Sequence, residues 1–327
     1  MATNKRKVML PQVMGQQGID IVRARDDIET VLYPTGISQA DLRPLLVDCA
    51  GIALSVTAFR QAEMDASPAM QVVARIGVGY DAVEVPALTA RRVPLMVAGT
   101  ANSVSVAEQA FHLMITLAKL NRRMDGLVRG GRWTDRHQAM PMELAGKTVL
   151  IIGFGRIGTR TARRCLGFDM SVLVFDPFVD PAKIRAAGCE PAADLDAALP
   201  LADFVTIHCP KSPATVNLLN AARLGTMKRG AFLVNTARGG IVNEVALYEA
   251  LVSGHLAGAG LDVFDLEPTP QDNKLLSLDS VVASPHMAGV TVEAVQAMAV
   301  ATARNILSVL DGDPNRDNTI NPEVYAS

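Results

Sequence analysis

Three polar residues follow short apolar runs in the second half of the chain: Arg238, Glu267 and His286. Singly, each has an ordinary explanation: a phosphate-holding guanidinium, a solvated loop acid, and a loop histidine with its bonds satisfied. Together they suit one reaction. A guanidinium can bind a carboxylate through two parallel hydrogen bonds and polarise a neighbouring carbonyl. An imidazole can trade a proton near neutral pH. A carboxylate beside that imidazole would orient it and favour its protonated form. That is equipment for moving a hydride and a proton across a 2-oxo/2-hydroxy acid pair, and it requires a hydride carrier.

A place for the carrier is written into residues 147–176. A short β-branched run, Thr148-Val-Leu-Ile-Ile152, precedes Gly153-Phe-Gly155-Arg-Ile-Gly158, a helical stretch to Leu166, a second apolar run and then Asp176. The runs suit strands buried on both faces. Gly153 allows the tight turn, Gly155 lacks the Cβ that would block a pyrophosphate, and Gly158 lets the helix lie close to the strand. The helix start offers N–H groups and a partial positive charge to phosphates. Asp176 can accept both ribose hydroxyls of an adenosine. Next to it a 2′-phosphate would meet like charge, and the following residues, Pro177 and Phe178, offer no cation. NAD is therefore expected over NADP.

These groups need a frame, and the chain is long enough for two domains: 327 residues, 49% apolar and 20% charged, with a net charge of -2. The charge balance argues against nucleic acid or an anionic membrane as the main partner. Cys49, Cys165, Cys189 and Cys209 are scattered without metal spacing and read as reduced, mostly buried thiols of a cytoplasmic protein. No run is long enough to span a bilayer, and the apolar stretch ending at Pro11 is too short for a signal-peptide core.

Taken in order, strands are expected at 7–10, 51–56, 70–76 and 93–97, with a helix and a strand between 18 and 33 and a helix over 41–48. This is a small parallel α/β layer without a phosphate fingerprint of its own. Ser105 with Glu108 three residues on has the pattern of a capping box, and apolar spacing predicts a long helix over 103–120. Residues 121–142, with the only tryptophan, Trp133, read as polar and irregular. Further strands fall at Val149, Val172, Phe204, Phe232, Ala257 and Val281. Ligands of open α/β sheets sit beyond the carboxyl ends of the strands. His208-Cys209-Pro210, Thr236-Ala237-Arg238-Gly239, Asp262 to Glu267 and Ser284-Pro285-His286 should therefore face the cofactor. A last amphipathic helix over 290–310 is expected to cross back to the first domain.

Over nearly its whole length the sequence resembles the D-isomer-specific 2-hydroxyacid dehydrogenase family. The resemblance is carried by the glycine fingerprint with Asp176 and by Asn235-Thr-Ala-Arg238-Gly-Gly, the most specific element. Gly260-Leu-Asp-Val-Phe-Asp-Leu-Glu267-Pro and Ser284-Pro-His286-Met-Ala-Gly289 complete it. It implies a fold of two doubly wound parallel-sheet domains. One is a Rossmann NAD-binding domain over 103–291, the other a smaller flavodoxin-like substrate domain over 1–102 plus 292–327, with a cleft between them. It implies that Arg238 binds the substrate carboxylate and carbonyl, that His286 is the acid/base, and that Glu267 pairs with it. It also implies that Val78 and Gly79 offer backbone N–H groups to that carboxylate. Arg156, Ile157, Pro210, Thr215, Ala237, Asp262 and Gly289 would line the NAD site. No metal is expected, and a homodimer is, because members of the family commonly pair through the cofactor domain.

The sequence departs from the pattern in places. Phosphoglycerate-using members carry an Arg in an Arg-Ser-x-Thr stretch that reaches the phosphate; here the stretch is Leu54-Ser-Val-Thr57. No regulatory extension of the kind many such members carry is expected after the last helix. Formate dehydrogenases of the superfamily place Gln at the position of Glu267. The expected activity is NAD-linked interconversion of a small 2-oxo acid and its D-2-hydroxy acid. The rivals are a nucleotide-sensing module like the corepressors of this architecture and a phosphite dehydrogenase-like reaction.

Overall fold

The structure, a computed structural model, describes residues 5–326. The chain forms two compact units, Met1–Asn102 with Val290–Ser327, and Ser103–Gly289.

The first unit holds a five-stranded sheet made of β1 (Arg6–Pro11), β2 (Ile28–Tyr33), β3 (Cys49–Leu54), β4 (Val72–Arg75) and β5 (Leu95–Met96). All pairs are parallel, in the order β2-β1-β3-β4-β5, which is the flavodoxin-like winding. Successive side chains point to opposite faces, so the apolar run of β1 feeds two cores. Val8 and Leu10 pack with Ile19, Val22, Ala303 and Ile306, while Met9 packs with Tyr33, Leu42 and Ile52. The helix Val292–Leu310 belongs to this unit; Thr291 caps it, its Oγ1 accepting from the N–H of Ala294 at 3.2 Å. Leu54, at the end of β3, is fully buried.

The second unit holds a seven-stranded parallel sheet. Its strands are β6 (Thr148–Ile152), β7 (Ser171–Phe175), β8 (Glu190–Pro191), β9 (Phe204–Ile207), β10 (Phe232–Asn235), β11 (Gly258–Leu261) and β12 (Val281–Ala283). The order is β12-β11-β10-β9-β6-β7-β8. Counted from β6, that is the Rossmann winding, with its reversal between β6 and β9. Val149 and Ile151 enter one core, Leu150 and Ile152 the other. Both faces are covered, which is why these strands read as unbroken apolar runs.

Two local expectations need correction. The helix Ser103–Ala118 begins ahead of Ser105, so Ser105 and Glu108 lie inside it and form no capping box; Glu108 instead meets the Arg164 guanidinium at 2.8 Å. Part of the stretch expected to be irregular is the helix Asn121–Arg129, followed by a short 3-10 turn, Trp133–His137. Only Leu127 of that helix is buried, so it lacks the wide apolar stripe by which a surface helix is recognised.

Candidate active site

Because every strand of the second sheet runs the same way, the loops after β6, β7, β9, β10, β11 and β12 emerge at one edge. That edge carries most of the expected site residues. Val78 and Gly79 lie in the first unit, in the loop after β4, where the Gly79 carbonyl accepts from Arg75 Nε at 2.8 Å.

At the reversal point the glycine loop is built around close approaches. A Cβ on Gly153 would sit 2.7 Å from the Cys209 nitrogen, and one on Gly158 only 2.0 Å from the Gly153 carbonyl oxygen. The backbone at Gly153, with φ +97°, also excludes an ordinary side chain. A Cβ on Gly155, in contrast, would meet nothing within 4 Å. No side chain caps the helix Gly158–Leu166, which starts directly behind Arg156 and Ile157. Asp176, just past β7, accepts from the N–H groups of Phe154 at 2.7 Å and Phe178 at 2.9 Å, so its carboxylate is held against the glycine loop. Thr236 at the end of β10 has a buried hydroxyl with no hydrogen-bond partner. An open space at Gly155, an uncapped helix start, an anchored acid and an orphaned hydroxyl are what a dinucleotide would use, and the donor set fits NAD.

After β9, His208 is half-buried, its Nε2 3.1 Å from Thr206 Oγ1. Desolvation pushes the imidazole down to about 3, so it is neutral at pH 7. Burial likewise pushes the Cys209 thiol up to about 11, with Asp176 adding to the effect, and that thiol stays protonated. The other cysteines are buried and free. Pro210 and Thr215 close the loop: Thr215 Oγ1 donates to the Pro210 carbonyl at 2.7 Å and accepts from the Ser212 N–H at 2.7 Å.

The reactive end is more tightly tied. Asn235 accepts from the Ala237 N–H at 3.0 Å and donates to the Arg238 carbonyl at 2.9 Å, which fixes the turn bearing Arg238. A Cβ on Gly239 would lie 1.8 Å from the Phe264 carbonyl oxygen, so only glycine lets the loops after β10 and β11 touch. Glu267 Oε1 accepts from the Phe264 N–H at 3.0 Å, and Oε2 lies 2.6 Å from His286 Nδ1. A carboxylate only accepts, so Nδ1 carries the hydrogen and Nε2 is the nitrogen left to exchange a proton. His286 is about half exposed. Its backbone lies in the left-handed region, φ 55°, and its N–H donates to the Asp262 carbonyl at 2.8 Å.

Asp262, expected to line the cofactor site, has a buried carboxylate that already takes three donors. It accepts from Ser284 Oγ at 2.6 Å and from the Met287 and Ala288 N–H groups at 2.9 Å each. Gly289 follows directly. The roles of Asn235 and Ser284 were not read from the sequence; their presence inside two specific motifs was the available signal. Among the described residues, no group of three or more His, Cys, Asp or Glu could hold a metal, and no helix is long and apolar enough to cross a membrane.

With this geometry in place, comparison with known proteins is direct. Residues 111–288 match the family model of the D-isomer specific 2-hydroxyacid dehydrogenase NAD binding domain. The chain belongs to the D-isomer specific 2-hydroxyacid dehydrogenase family. It is 36% identical over 322 residues to D-3-phosphoglycerate dehydrogenase of Archaeoglobus fulgidus, covering 98% of this chain and 60% of that one. Against chloroplastic D-3-phosphoglycerate dehydrogenase 3 of Arabidopsis thaliana, identity is 33%, over 94% of this chain and 52% of the relative. The chain thus spans little more than half the length of these relatives. The TT0316 protein of Thermus thermophilus superposes with a TM-score of 0.87 at 31% identity, covering 96% of this chain and 99% of that one. D-lactate dehydrogenase from Aquifex aeolicus, solved with NAD and lactic acid, gives 0.85 at 26% identity, over 96% and 98% of the two chains. NAD is the cofactor of this family's domain, and the fold of two parallel-sheet α/β units is the family's own.

Proposed function

We propose that the protein is an NAD-dependent oxidoreductase that interconverts a small 2-oxo acid and its D-2-hydroxy acid. The observation that carries this reading is the 2.6 Å contact between His286 Nδ1 and Glu267 Oε2, at the same sheet edge as the glycine loop and Arg238. NAD supplies the hydride acceptor or donor when bound. Gly153, Gly155, Arg156, Ile157, Gly158 and Asp176 hold its adenosine and phosphates, with His208 to Pro210, Thr215, Thr236 and Ala237 bordering the rest. Arg238 grips the substrate carboxylate and polarises the carbonyl beside it. His286 delivers a proton from Nε2 to the carbonyl oxygen during reduction, and takes it back during oxidation. Glu267 keeps the ring turned so that Nε2 faces the substrate. The first unit serves as the substrate domain, with Val78 and Gly79 offering backbone N–H groups to the carboxylate.

The substrate carries no phosphate in this reading. Leu54 occupies the place where phosphate-reading members have an Arg, and its side chain is wholly buried in the strand. The assembly proposed is a homodimer formed through the second unit. It is supported by exposed Val128, Trp133 and Met140 and by a cavity of about 610 Å³ in the same stretch, where Leu120 and Leu127 line it together with Arg122, Arg123, Arg132 and Asp279. Light scattering that shows a monomer at all concentrations would remove the dimer.

The deciding experiment follows NADH oxidation with glyoxylate, hydroxypyruvate, pyruvate, bulkier oxo acids and phosphohydroxypyruvate, with NAD reduction by phosphite as a separate arm. Turnover with unphosphorylated oxo acids is expected. Preference for the phosphorylated acid would overturn the substrate class, and turnover of phosphite alone would overturn the reaction. NADH binding without turnover of anything would turn the reading to a sensing module.

A further inference from the structure

The Asp262 carboxylate sits under the His286 loop and is reached from both sides of that histidine. Ser284 Oγ donates to Oδ1 at 2.6 Å, the Met287 N–H donates to the same oxygen at 2.9 Å, and the Ala288 N–H donates to Oδ2 at 2.9 Å. The backbone carbonyl of the same aspartate takes the His286 N–H at 2.8 Å. Thus His286 itself, the serine two residues before it and both residues after it are tied to one buried aspartate. One more bond extends the set. Gln109, on the helix Ser103–Ala118, donates from Nε2 to Ser284 Oγ at 3.2 Å. Ser284 therefore accepts from Gln109 and donates to Asp262, and a hydroxyl that accepts one bond donates a stronger one.

His286 holds a left-handed backbone with φ 55° on an exposed loop, and an L residue keeps such a conformation only where its surroundings fix it. The Glu267 contact fixes the ring but leaves the backbone free to swing. The chain through Asp262 fixes the backbone.

We propose that Gln109, Ser284 and Asp262 form a hydrogen-bonded chain that positions His286, with Gln109 and Ser284 acting on the reaction only through that histidine. The proposal rests on the reading of His286 as the proton donor. It makes Asp262 a positioning residue for the acid/base group, and it makes the long helix, through Gln109, part of the site's support.

The test uses the full chain. Ser284→Ala should lower kcat about tenfold, the usual effect of losing one such bond, with the KM for the oxo acid and the Kd for NADH nearly unchanged. Ser284→Thr, which keeps the hydroxyl, should restore it. Gln109→Leu should act the same way, by about two- to threefold. The decisive readout is the pair of variants. In a His286→Ala background, Ser284→Ala should change residual turnover hardly at all, because its route of action is gone. An equal loss in both backgrounds would overturn the proposal. A second readout is independent of turnover: hydrogen exchange of the backbone amides of the His286 loop. Ser284→Ala should speed exchange at His286, Met287 and Ala288, while the ring keeps its Nδ1–H tautomer because Glu267 is untouched. Unchanged amide exchange would overturn the proposal even if no substrate were turned over. Absence of turnover with faster amide exchange would count against the proposed reaction and support the chain.

Discussion

Around β6 and β7, the second unit's sheet presents open space at Gly155 and an uncapped helix start, and further along its edge the Thr236 hydroxyl has no partner. The loops after β10, β11 and β12 are stitched to each other instead: Asn235 to the Arg238 turn, Glu267 to Phe264 and His286, Asp262 to three donors around His286. The difference follows from who supplies the partner. A dinucleotide brings many phosphate and hydroxyl groups, so its cradle can leave donors for the ligand to satisfy. A proton donor has to be in place before the substrate arrives, because a misplacement of about 1 Å can cost about a hundredfold in rate. On the proposed reading of His286 as that donor, the protein completes those bonds itself.

The largest effects are expected at the reactive end. His286→Ala should lower kcat roughly 10²–10⁴-fold, the usual contribution of a positioned general acid, while fluorescence titration shows NADH binding unchanged. Arg238→Ala should raise the KM for the oxo acid as well, because the carboxylate loses its anchor. Near-normal turnover of His286→Ala would remove the assignment of the acid.

At the open end the expected split is the reverse. Gly155→Ala places its methyl group in empty space, so the melting temperature without cofactor should match that of the parent. NADH affinity should nevertheless fall roughly 10–100-fold, because the methyl group occupies the phosphate's room. Gly158→Ala, whose Cβ would press on the Gly153 carbonyl oxygen at 2.0 Å, should melt earlier with or without NADH. Equal NADH affinity in Gly155→Ala and the parent would show that the phosphates lie elsewhere.

Asp176 sharpens the same contrast with a smaller effect. Its carboxylate is already oriented by two backbone N–H groups, so it should meet the ribose without rearranging. Asp176→Ala should narrow the preference for NADH over NADPH by roughly tenfold, mainly through the KM of the cofactor. A parent enzyme that prefers NADPH would contradict this.

The same two ends differ in how much could be read from the amino acids. The glycine loop was legible because two of its needs are local, the positive φ at Gly153 and the approach of Gly158 to the Gly153 carbonyl; the approach of Gly153 to Cys209 was not. The winding was legible because buried parallel strands are unbroken apolar runs. The closeness of Glu267 and His286, 2.6 Å apart in the structure, was legible because each follows such a run, as does Arg238. What holds them was not. Ser284 and Met287 reach Asp262 from 22 and 25 residues away, and Gln109 reaches Ser284 from 175 residues away, distances at which no spacing rule operates. The helix Asn121–Arg129 escaped notice for a different reason, since its apolar residues, Met124, Leu127 and Val128, span little more than one turn among polar ones, too short a stretch for a period to stand out.

His208 lies at the seam between the two ends, after β9, and offers the smallest of the tests. Its imidazole is pushed down to about 3 in the folded protein, against 6.5 as the ordinary value. Between those pH values the unfolded chain binds a proton there and the folded chain does not. The sign follows: the stabilisation is complete above about pH 6.5 and is lost as pH falls towards 3. His208→Asn removes the titrating group while keeping a polar side chain near Thr206 Oγ1. Every carboxylate that shapes the acid limb is common to both proteins. Between about pH 7.5 and about pH 5, which bracket the ordinary histidine value, the parent's melting temperature should therefore drop further than the variant's. Parallel curves would mean that the folded protein accepts the proton at His208. The ring would then be a charged neighbour of the cofactor's phosphates, and the seam would belong with the open half of the sheet.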